Sequence, residues 1–599
     1  MPFAFAFRTD GPRAAMRALL ISPPVSNIGQ AAPSISVLAA WLAARGHECL
    51  QWDLGIEAFH HYHSRGYLEQ AAGKLGEPEA DLPDDGERLP AGLPPLEIAS
   101  RIDRAKALLQ RPGIENDLAA MSGALMEIRD AGRLISAAHP FSRLTFSRFE
   151  VSGAFSSWES LREAAVDGER NPLLDFYHSQ ALPRIEALSP ALVGISVSYQ
   201  SQLLPALSLA HAVKQALPGI YLLLGGAFIK SIQDDIARMP PRVVPVDGIC
   251  VGDGEPALES CLEALASGRR PSGPPNTLLP TGERFAHTGS WQQIDLAEAP
   301  LPMMQLLGLD LGAYLVPRYA IPLPLTRGCH WHKCVYCNIS NQARERYRSR
   351  PADRCVSDIE RLIDLSGSDW FDFPTDSVLP RDLERLARRL LERGLALRWA
   401  AEVIPDRRLS AATIELLARS GCCCLRFGLE SACPRTLQAM DKGAVEPDQA
   451  ARIFAACRDN GIATGVMLIV GFPSETQADL MQTVEYLREN AGNIDFLTLH
   501  EFTIAPGSRL AARPELAGVH LLPRRGVLTP SLPYDHTNPV AMRPADLPRV
   551  VDALADSLSD LFPHCGQLWA SGVGGWMTFA AAASNGPEFF KQPLPRSSR

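Results

Sequence analysis

The sequence has no excess of positive charge, because 67 Asp and Glu outnumber 58 Lys and Arg and leave a formal net charge of -9. Such a chain offers no basic field to attract a phosphate backbone or an anionic membrane surface, so nucleic acid is not an expected partner. It also lacks any apolar run near the ~18 residues that a membrane-spanning helix requires. We therefore expect no membrane association.

A disulfide framework is also missing. The chain has 13 cysteines, an odd number, and only one tight cluster of them. Disulfide-rich secreted domains instead show even counts at regular spacings. The opening "MPFAFAFRTDGPRAAMRALL" does not have the charged-then-apolar order of a secretion signal. We predict a cytoplasmic protein, with residues 1–16 as an N-terminal extension.

The first half of the chain alternates short apolar runs with helical patterns. Strand-like runs begin at 17, 191, 220 and 248, and a polar, helix-rich segment at about 58–185 interrupts them. Alternation of this kind predicts an α/β fold with a parallel, doubly wound, Rossmann-like sheet, whose ligands bind at the carboxyl ends of the strands. We assign this domain to residues 17–270, and the Pro- and Gly-rich residues 271–320 to a linker.

A second series of strand and helix patterns follows. It includes "DWFDFPTDS", "LRWAAEV", "CCCLRFGLES", "TGVMLIVGFP" and "DFLTLHEFTIAPGS". Six strands connected in this way predict a partial (β/α)6 barrel over residues 321–520, with its chemistry at the strand carboxyl ends. Residues 521–599 are predicted to form a small C-terminal cap.

Three cysteines lie in one loop, "TRGCHWHKCVYCNIS", where Cys329, Cys334 and Cys337 have C-x4-C-x2-C spacing. Structural zinc usually needs four ligands, and His330 and His332 are awkwardly placed between the first two thiols. A 4Fe-4S cluster held by three thiolates leaves one iron open for a cofactor or substrate. The spacing therefore favours such a cluster over zinc or a disulfide.

This loop resembles the radical S-adenosylmethionine (radical SAM) superfamily, whose usual signature is C-x3-C-x2-C with an aromatic residue before the third cysteine. The present loop is one residue longer, as in cobalamin-binding members. "FPTDS", "RFGLES" and "VGFPSET" resemble the cofactor-binding segments that follow later barrel strands. The resemblance implies that S-adenosylmethionine is bound by Tyr336, Asp376, Ser377, Arg426, Glu430, Ser431, Gly471 and Pro473.

The amino-terminal half resembles the cobalamin-binding domain that precedes the barrel in one subgroup, through "PSISVLAAWLAARGHE", "LVGISVSYQSQ", "LLLGGAF" and "VGDGEPALE". Residues 1–280 contain no D-x-H-x-x-G motif, so no histidine from that motif is expected on cobalt. For the glycines, a role limited to tight turns is the alternative. The resemblance implies that cobalamin contacts Ser196, Ser198, Tyr199, Gly225, Gly226, Gly252, Gly254 and Glu255.

The resemblance implies a cobalamin-dependent radical SAM C-methyltransferase that acts on a natural product or peptide through a 5'-deoxyadenosyl radical and methylcobalamin. It further implies an external electron donor such as flavodoxin or ferredoxin. A non-methylating cyclisation or redox rearrangement is the alternative within the family, and a non-catalytic cobalamin or iron-sulfur sensor is the alternative from another class. No catalytic side chain is assigned.

Strand alternation also bears on two other groups of residues. Cys423 is expected to point away from Cys422 and Cys424, which favours buried small side chains over a second metal site. Arg426 and Glu430 share the parity of Cys424, which predicts an ion pair between them, either in the barrel lumen or at the strand end. Of His500 and Glu501, the side chain that faces inward could contact substrate.

Overall fold

The computed structural model describes residues 16–25, 27–75, 89–90, 92–302, 309–339, 346–537, 541–563 and 574–591. The chain divides into two compact units. The N-terminal unit comprises Met1–Lys106, Met126–Leu315 and Gly526–Leu528, and the C-terminal unit comprises Ala107–Leu125, Val316–Arg525 and Thr529–Arg599. Apart from Met16, the predicted N-terminal extension lies outside the described residues.

A seven-stranded sheet forms the core of the N-terminal unit, in the order β2-β1-β5-β6-β7-β8-β9. The first five strands in that order are parallel, and their apolar side chains are buried, as expected where helices cover both faces. The predicted doubly wound sheet is therefore confirmed. The strands are β1 (Arg17–Ser22), β2 (Glu48–Asp53), β3 (Ser142–Leu144), β4 (Phe149–Val151), β5 (Leu192–Ser196), β6 (Tyr221–Gly225), β7 (Gly248–Cys250), β8 (Thr277–Thr281) and β9 (Arg284–His287).

Helices connect these strands, and those from α3 to α8 belong to the segment predicted as an insertion. The short antiparallel pair β3 and β4 lies in the same segment. The helices are α1 (Pro33–Ala43), α2 (Leu54–Tyr62), α3 (Arg65–Lys74), α4 (Pro95–Leu109), α5 (Leu118–Ala137), α6 (Trp158–Val166), α7 (Leu173–Phe176), α8 (Leu182–Leu188), α9 (Leu203–Ala216), α10 (Ala227–Ser231), α11 (Gln233–Arg238) and α12 (Gly254–Ala266).

Part of the segment predicted as a linker is sheet. Strands β8 and β9 form an antiparallel hairpin that pairs with β7 at the edge of the N-terminal sheet. Gly282 has a φ of 68° in the turn between them, a left-handed conformation that favours glycine. The glycine that had indicated a linker here belongs to a hairpin turn.

The C-terminal unit contains a six-stranded sheet in sequential order, β10-β13-β14-β15-β16-β17, and every pairing in it is parallel. This arrangement confirms the predicted partial barrel. The strands of the unit are β10 (Ile321–Pro322), β11 (Thr326–Arg327), β12 (Arg348–Ser349), β13 (Trp370–Phe373), β14 (Arg398–Val403), β15 (Cys422–Glu430), β16 (Ala463–Val470), β17 (Phe496–Glu501), β18 (Val519–Leu521) and β19 (Tyr534–His536).

The helices of this unit follow the barrel strands, and later ones form its carboxyl-terminal part. They are α13 (Ala352–Ser366), α14 (Pro380–Glu392), α15 (Ala411–Arg419), α16 (Pro434–Ala439), α17 (Pro447–Asp459), α18 (Gln477–Glu489), α19 (Arg509–Ala512), α20 (Leu547–Leu558) and α21 (Gly574–Asn585). Within the ranges given above, no helix has the length and apolarity needed to cross a bilayer.

The final described residues pack against the barrel. Helix α21 contacts β14 and β15. Beyond it, the rings of Phe590 and Phe496 lie 5.2 Å apart, and Lys591 Nζ donates a hydrogen bond of 2.7 Å to the Ala491 carbonyl. The tail is thus attached beside the residues that lead into β17. Residues 564–573, within the predicted cap, lie outside the described residues.

Candidate functional site

The three-cysteine segment is a loop whose described residues are 328–339 and 346–347, and we call it the cysteine loop. Its base is closed because β11 pairs with β12 on either side of it and Arg350 N donates to the Leu325 carbonyl at 2.8 Å. The Arg350 side chain also donates from Nε to Asp358 Oδ2 of α13 at 2.7 Å, and both side chains are buried. The loop therefore projects from a fixed base at the carboxyl end of β10.

The middle of the cysteine loop is attached to the turn that follows α16. Val335 N donates to the Met440 carbonyl at 3.0 Å, and Trp331 Nε1 donates to the Asp441 carbonyl at 2.8 Å. Arg509 Nη1 bonds both the Lys333 carbonyl (2.7 Å) and Asp441 Oδ2 (2.9 Å). Val335 also enters an apolar cluster with Met440, Phe472 and Phe502. These contacts hold the loop between its first and third cysteines.

His332 has a φ of 55°, in the left-handed region that non-glycine residues rarely occupy. It lies between Cys329 and Cys334, where this chain has one residue more than the usual C-x3-C-x2-C spacing. The left-handed residue turns the longer segment back toward Cys334.

The three thiols lie in a partly buried environment. Cys334 is buried, and Cys329 and Cys337 are half-buried. Burial raises the pKa of Cys334 to about 12 and raises that of Cys329, and the charge of Cys337 adds to both shifts. Binding of a metal to these groups as thiolates would therefore release protons.

The described residues include no group of three or more His, Cys, Asp or Glu side chains arranged to hold a metal ion. In a cubane cluster each cysteine binds a different iron, so its ligands do not converge on a single ion. Three thiols in one anchored loop, near enough for their charges to interact, are a donor set that fits such a cluster.

A buried cation stands beside the thiols and was missed by the sequence analysis. Lys442 is 5% exposed, and its Nζ lies 2.5 Å from Glu430 Oε1 and 3.5 Å from the Tyr336 hydroxyl. Burial lowers the pKa of Lys442, but the charges of Glu430 and Cys334 outweigh that effect and raise it. A lysine in the turn "AMDKGAV", directly after a barrel strand and its short helix, was the available signal.

The ion pair predicted between Arg426 and Glu430 is wrong. Glu430 pairs with Lys442, whereas Arg426 Nη2 donates to Asp372 Oδ1 at 2.8 Å and its Nε lies 3.4 Å from Glu402 Oε1. The register of β15 against β16 shifts between Gly428 and Glu430, and Glu430 has a φ of 66°. This bulge breaks the alternation on which the prediction depended.

Asp376 and Ser377, which follow β13, contact the cysteine loop. Asp376 Oδ2 accepts a hydrogen bond from Gly328 N at 3.0 Å, and Ser377 Oγ lies 3.3 Å from His330 Nδ1. With Tyr336 and Glu430, they make up the half of the predicted S-adenosylmethionine residues that the structure places beside the loop.

The other four predicted S-adenosylmethionine residues lie elsewhere in the C-terminal unit. Arg426 belongs to the ion-pair cluster with Asp372 and Glu402. Ser431 Oγ lies 3.2 Å from Thr483 Oγ1 inside the fold. Gly471 N donates to Glu475 Oε2 at 2.7 Å, and Pro473 is buried in the same turn.

Two further sequence predictions concern β15 and β17. Cys422, Cys423 and Cys424 are free and buried, as predicted. At the end of β17, His500 and Glu501 are exposed. Neither of these two side chains is buried in the strand.

In the N-terminal unit, one glutamine joins the loops that follow β1 and β5. Gln202 Oε1 accepts from Ser198 N at 2.8 Å and from Tyr199 N at 3.3 Å, and its Nε2 donates to the Pro23 carbonyl at 3.0 Å. The Tyr199 side chain remains 57% exposed. These hydrogen bonds thus hold the two strand-end loops together.

The predicted cobalamin residues at the next two strand ends are packed closely against the chain itself. Gly226 has a φ of 113°, and a Cβ there would lie 2.3 Å from the Val197 carbonyl oxygen. A Cβ on Gly252 would lie 2.9 Å from the Asn276 side chain. These glycines allow close approach of neighbouring loops. The other predicted residues lie beside them: Ser196, whose Oγ is 3.1 Å from Ser34 Oγ, Gly225 beside Cys250, Gly254 beside Leu38, and the buried Glu255.

Comparison with known families settles the identity of the barrel. Residues 323–487 match the model of the radical SAM superfamily. The chain contains a radical SAM domain. It extends from the residue after β10 nearly to the end of α18 and includes the cysteine loop and the turn that carries Lys442, so the resemblance seen in the sequence is confirmed.

Similar proteins extend the comparison beyond this domain. An uncharacterized methyltransferase of Pyrococcus horikoshii is 25% identical over 357 residues, which are 56% of this chain and 72% of the relative. The radical S-adenosylmethionine methyltransferase TsrM from Kitasatospora setae, solved with cobalamin and a 4Fe-4S cluster, has a TM-score of 0.56 at 14% identity, covering 92% of this chain and 89% of its own.

A second solved structure agrees in fold. The cobalamin-dependent radical enzyme OxsB, solved with aqua-cobalamin and S-adenosylmethionine, has a TM-score of 0.58 at 10% identity, covering 91% of this chain and 67% of its own. The predicted fold, a Rossmann-like domain followed by a radical SAM barrel, is therefore confirmed.

Proposed function

We propose that the protein is a cobalamin-dependent radical SAM enzyme that methylates carbon. The observation that carries this proposal is the anchored three-cysteine loop in a radical SAM domain that follows a parallel sheet of order β2-β1-β5-β6-β7. That order is the flavodoxin-like version of the doubly wound sheet, which binds ligands at its strand ends. TsrM and the Pyrococcus relative are both named methyltransferases, which supports the methyl-transfer assignment.

The cofactors supply, when bound, an S-adenosylmethionine-derived 5'-deoxyadenosyl radical and a cobalamin-bound methyl group. The protein holds and orients them. Cys329, Cys334 and Cys337 would hold three irons of a 4Fe-4S cluster and leave the fourth to S-adenosylmethionine. Asp376 is a carboxylate beside the first residue of the cysteine loop and would accept from the ammonium of S-adenosylmethionine.

The remaining S-adenosylmethionine contacts are assigned by position. Glu430 would accept hydrogen bonds from ribose hydroxyls, and Tyr336 and Ser377 would line the same space beside the loop. Arg426, Ser431, Gly471 and Pro473 would contribute through the strand ends that carry them. Lys442 joins this set because it lies next to Glu430 and Tyr336.

Cobalamin would lie at the strand ends of the N-terminal sheet. Ser196, Ser198 and the exposed Tyr199 follow β5 and would face the corrin or its nucleotide tail. Gly225, Gly226, Gly252, Gly254 and Glu255 would offer backbone contacts around the tail. Their tight packing favours a rigid, preformed slot over one that closes on the ligand.

The substrate class and setting are part of the proposal. We assign a natural product or peptide as substrate and a flavodoxin or ferredoxin as electron donor. A reducing, cytoplasmic location is supported by the free state of every cysteine that the structure describes.

The test is anaerobic reconstitution with iron, sulfide and cobalamin, followed by measurement of metal and corrinoid content. The triple variant Cys329→Ala, Cys334→Ala, Cys337→Ala should lose the cluster and keep corrinoid. Cys423→Ala is the matched control, because that buried thiol lies outside the loop and should leave both unchanged. A normal cluster in the triple variant would reject the assignment.

A non-methylating rearrangement is the second candidate, because OxsB shares the fold and is named a cobalamin-dependent radical enzyme, not a methyltransferase. S-adenosylmethionine with a labelled methyl group separates the two. Label in the product supports methyl transfer, whereas 5'-deoxyadenosine formed with an unlabelled, rearranged product supports the second candidate. Absence of 5'-deoxyadenosine under reducing conditions would instead indicate a sensor.

A further inference from the structure

Lys442 is placed in a way that packing alone does not explain. Its ammonium is buried, bonded to Glu430 and close to the Tyr336 hydroxyl. Removing an ammonium and a carboxylate from water costs several kcal/mol each, so a buried pair is a weak source of stability. Two apolar side chains could hold this turn at least as well.

The backbone around the pair is shaped to admit it. Glu430 occupies the left-handed region at the β15 bulge, with a φ of 66°. Gly428 has no side chain, and a Cβ there would lie 2.9 Å from Glu430 Oε1 and 3.2 Å from Lys442 Nζ. The left-handed backbone at Glu430 and the missing side chain at Gly428 thus both make room for this ion pair.

Lys442 also lies beside the cysteine loop. Its Nζ is 3.5 Å from the hydroxyl of Tyr336, which stands in the loop directly before Cys337 and two residues after Cys334. The ion pair with Glu430 is therefore one side chain away from the segment that carries two of the three thiols. A change in the net charge of this buried pair acts on that segment with little screening by solvent.

We propose that Lys442 is an electrostatic positioning residue that couples S-adenosylmethionine binding to reduction of the cluster. This inference rests on the proposed function. Glu430 neutralises Lys442 until S-adenosylmethionine binds. The ribose hydroxyls of S-adenosylmethionine then compete for the Glu430 carboxylate, and the freed Lys442 ammonium stabilises added negative charge at the cysteine-bound cluster.

The electron balance of this step is simple. One electron arrives from the external low-potential donor and adds one negative charge to the cluster, with no proton transferred and no bond made or broken in the protein. By linkage, any factor by which reduction tightens S-adenosylmethionine binding must equal the factor by which binding favours reduction.

The experiment is an EPR-monitored potentiometric titration of the reconstituted enzyme, with and without S-adenosylmethionine. The variants are Lys442→Met, Lys442→Arg and Glu430→Gln. Lys333→Met is the matched control, since it removes the same charge from an exposed position on the cysteine loop, where solvent and salt screen it.

We expect S-adenosylmethionine to raise the midpoint potential of the wild-type cluster. Lys442→Met should lower the starting potential and lose most of this shift, and Lys442→Arg should restore it. Glu430→Gln should start at a higher potential and shift less, because Lys442 is already unmasked. Lys333→Met should match wild type.

A full wild-type shift in Lys442→Met, at normal iron content, would overturn the inference. So would a loss of S-adenosylmethionine affinity that is equal in both oxidation states, which would make Lys442 a simple ligand. If Lys442→Met fails to fold, an unchanged potential in Glu430→Gln would reject it as well. Failure of the wild-type enzyme to hold a cluster or bind S-adenosylmethionine would reject the proposed function instead.

Discussion

The two regions expected to bind cofactors are built by different means. Around the cysteine loop, long polar side chains bridge separate segments, as Arg509, Trp331 and the Lys442–Glu430 pair do. At the strand ends of the N-terminal sheet, glycines let backbone segments touch, as Gly226 does against Val197. Side-chain contacts around the cysteine loop can change when charge changes, which suits a redox site. Backbone contacts at the strand ends of the N-terminal sheet fix the shape, which suits a slot for a large preformed ligand.

The strongest way to break this comparison is Gly226→Ala. A Cβ at that position would lie 2.3 Å from the Val197 carbonyl oxygen, and φ is 113°. We expect the N-terminal unit to lose about 5 kcal/mol of stability and its corrinoid. Iron content should stay normal if the two regions are independent. Circular dichroism melting and metal analysis measure both, and equal loss of iron would contradict the comparison.

Arg350→Met tests the region around the cysteine loop. It leaves Asp358 buried beside only the more distant Arg354, and breaking a buried pair of this kind costs about 4 kcal/mol. We expect the cluster to be lost more quickly to a chelator while corrinoid is retained. The double variant Arg350→Met, Asp358→Leu should recover much of the stability, because no uncompensated charge remains. A normal rate of cluster loss in the single variant would show that the base of the loop is held by other contacts.

Glu475 provides a pH test within the radical SAM domain. Its carboxyl is 1% exposed, and burial raises its pKa to about 7 from an ordinary value of 4.5. The folded state therefore binds the proton more tightly than the unfolded state, so this contribution to stability is full below pH 4.5 and is lost as pH rises to about 7. The loss amounts to about 3 kcal/mol.

Glu475→Gln should remove that pH dependence, since an amide oxygen still accepts from Gly471 N and does not titrate. The difference in melting temperature between wild type and variant should grow from pH 4.5 to pH 7. A constant difference would mean that the pKa of this carboxyl is the same in the folded and unfolded states.

Trp331→Phe is the mildest test. It retains an aromatic ring and removes the 2.8 Å hydrogen bond from Nε1 to the Asp441 carbonyl, at a cost of about 1 kcal/mol. We expect a small increase in the rate at which a chelator removes iron, with no change in corrinoid content. No change in that rate would mean that the apolar contacts of Val335 suffice to hold the loop.

The sequence predicts the repeating parts of this molecule well. Strand and helix periodicity identifies both sheets, and the thiol spacing identifies the loop, because those patterns arise from local geometry. It does not reveal the β8–β9 hairpin, whose prolines and glycines resemble those of a linker. Nor does it reveal the bulge at Glu430, because a single inserted residue in a strand leaves no periodic signal yet redirects every side chain after it.

Lys442 illustrates the same limit. Its importance comes from Glu430, on the far side of a short helix, from Tyr336, which is distant in sequence, and from the absence of a side chain at Gly428. Only the tertiary fold brings these groups together. Asp376 differs from Lys442 in this respect. Because it follows a barrel strand closely, the sequence alone predicts that it lies at the carboxyl end of the sheet.

The attachment of the chain's last described residues has a practical consequence. Phe590 rests on Phe496, and Lys591 is bonded to the carbonyls of Ala491 and Ile494. Deleting the final dozen residues of this sequence would expose Phe496 of the final barrel strand and remove the hydrogen bonds to the carbonyls of Ala491 and Ile494. An affinity tag is better placed at the amino terminus, where it cannot disturb the contacts of Phe590 and Lys591.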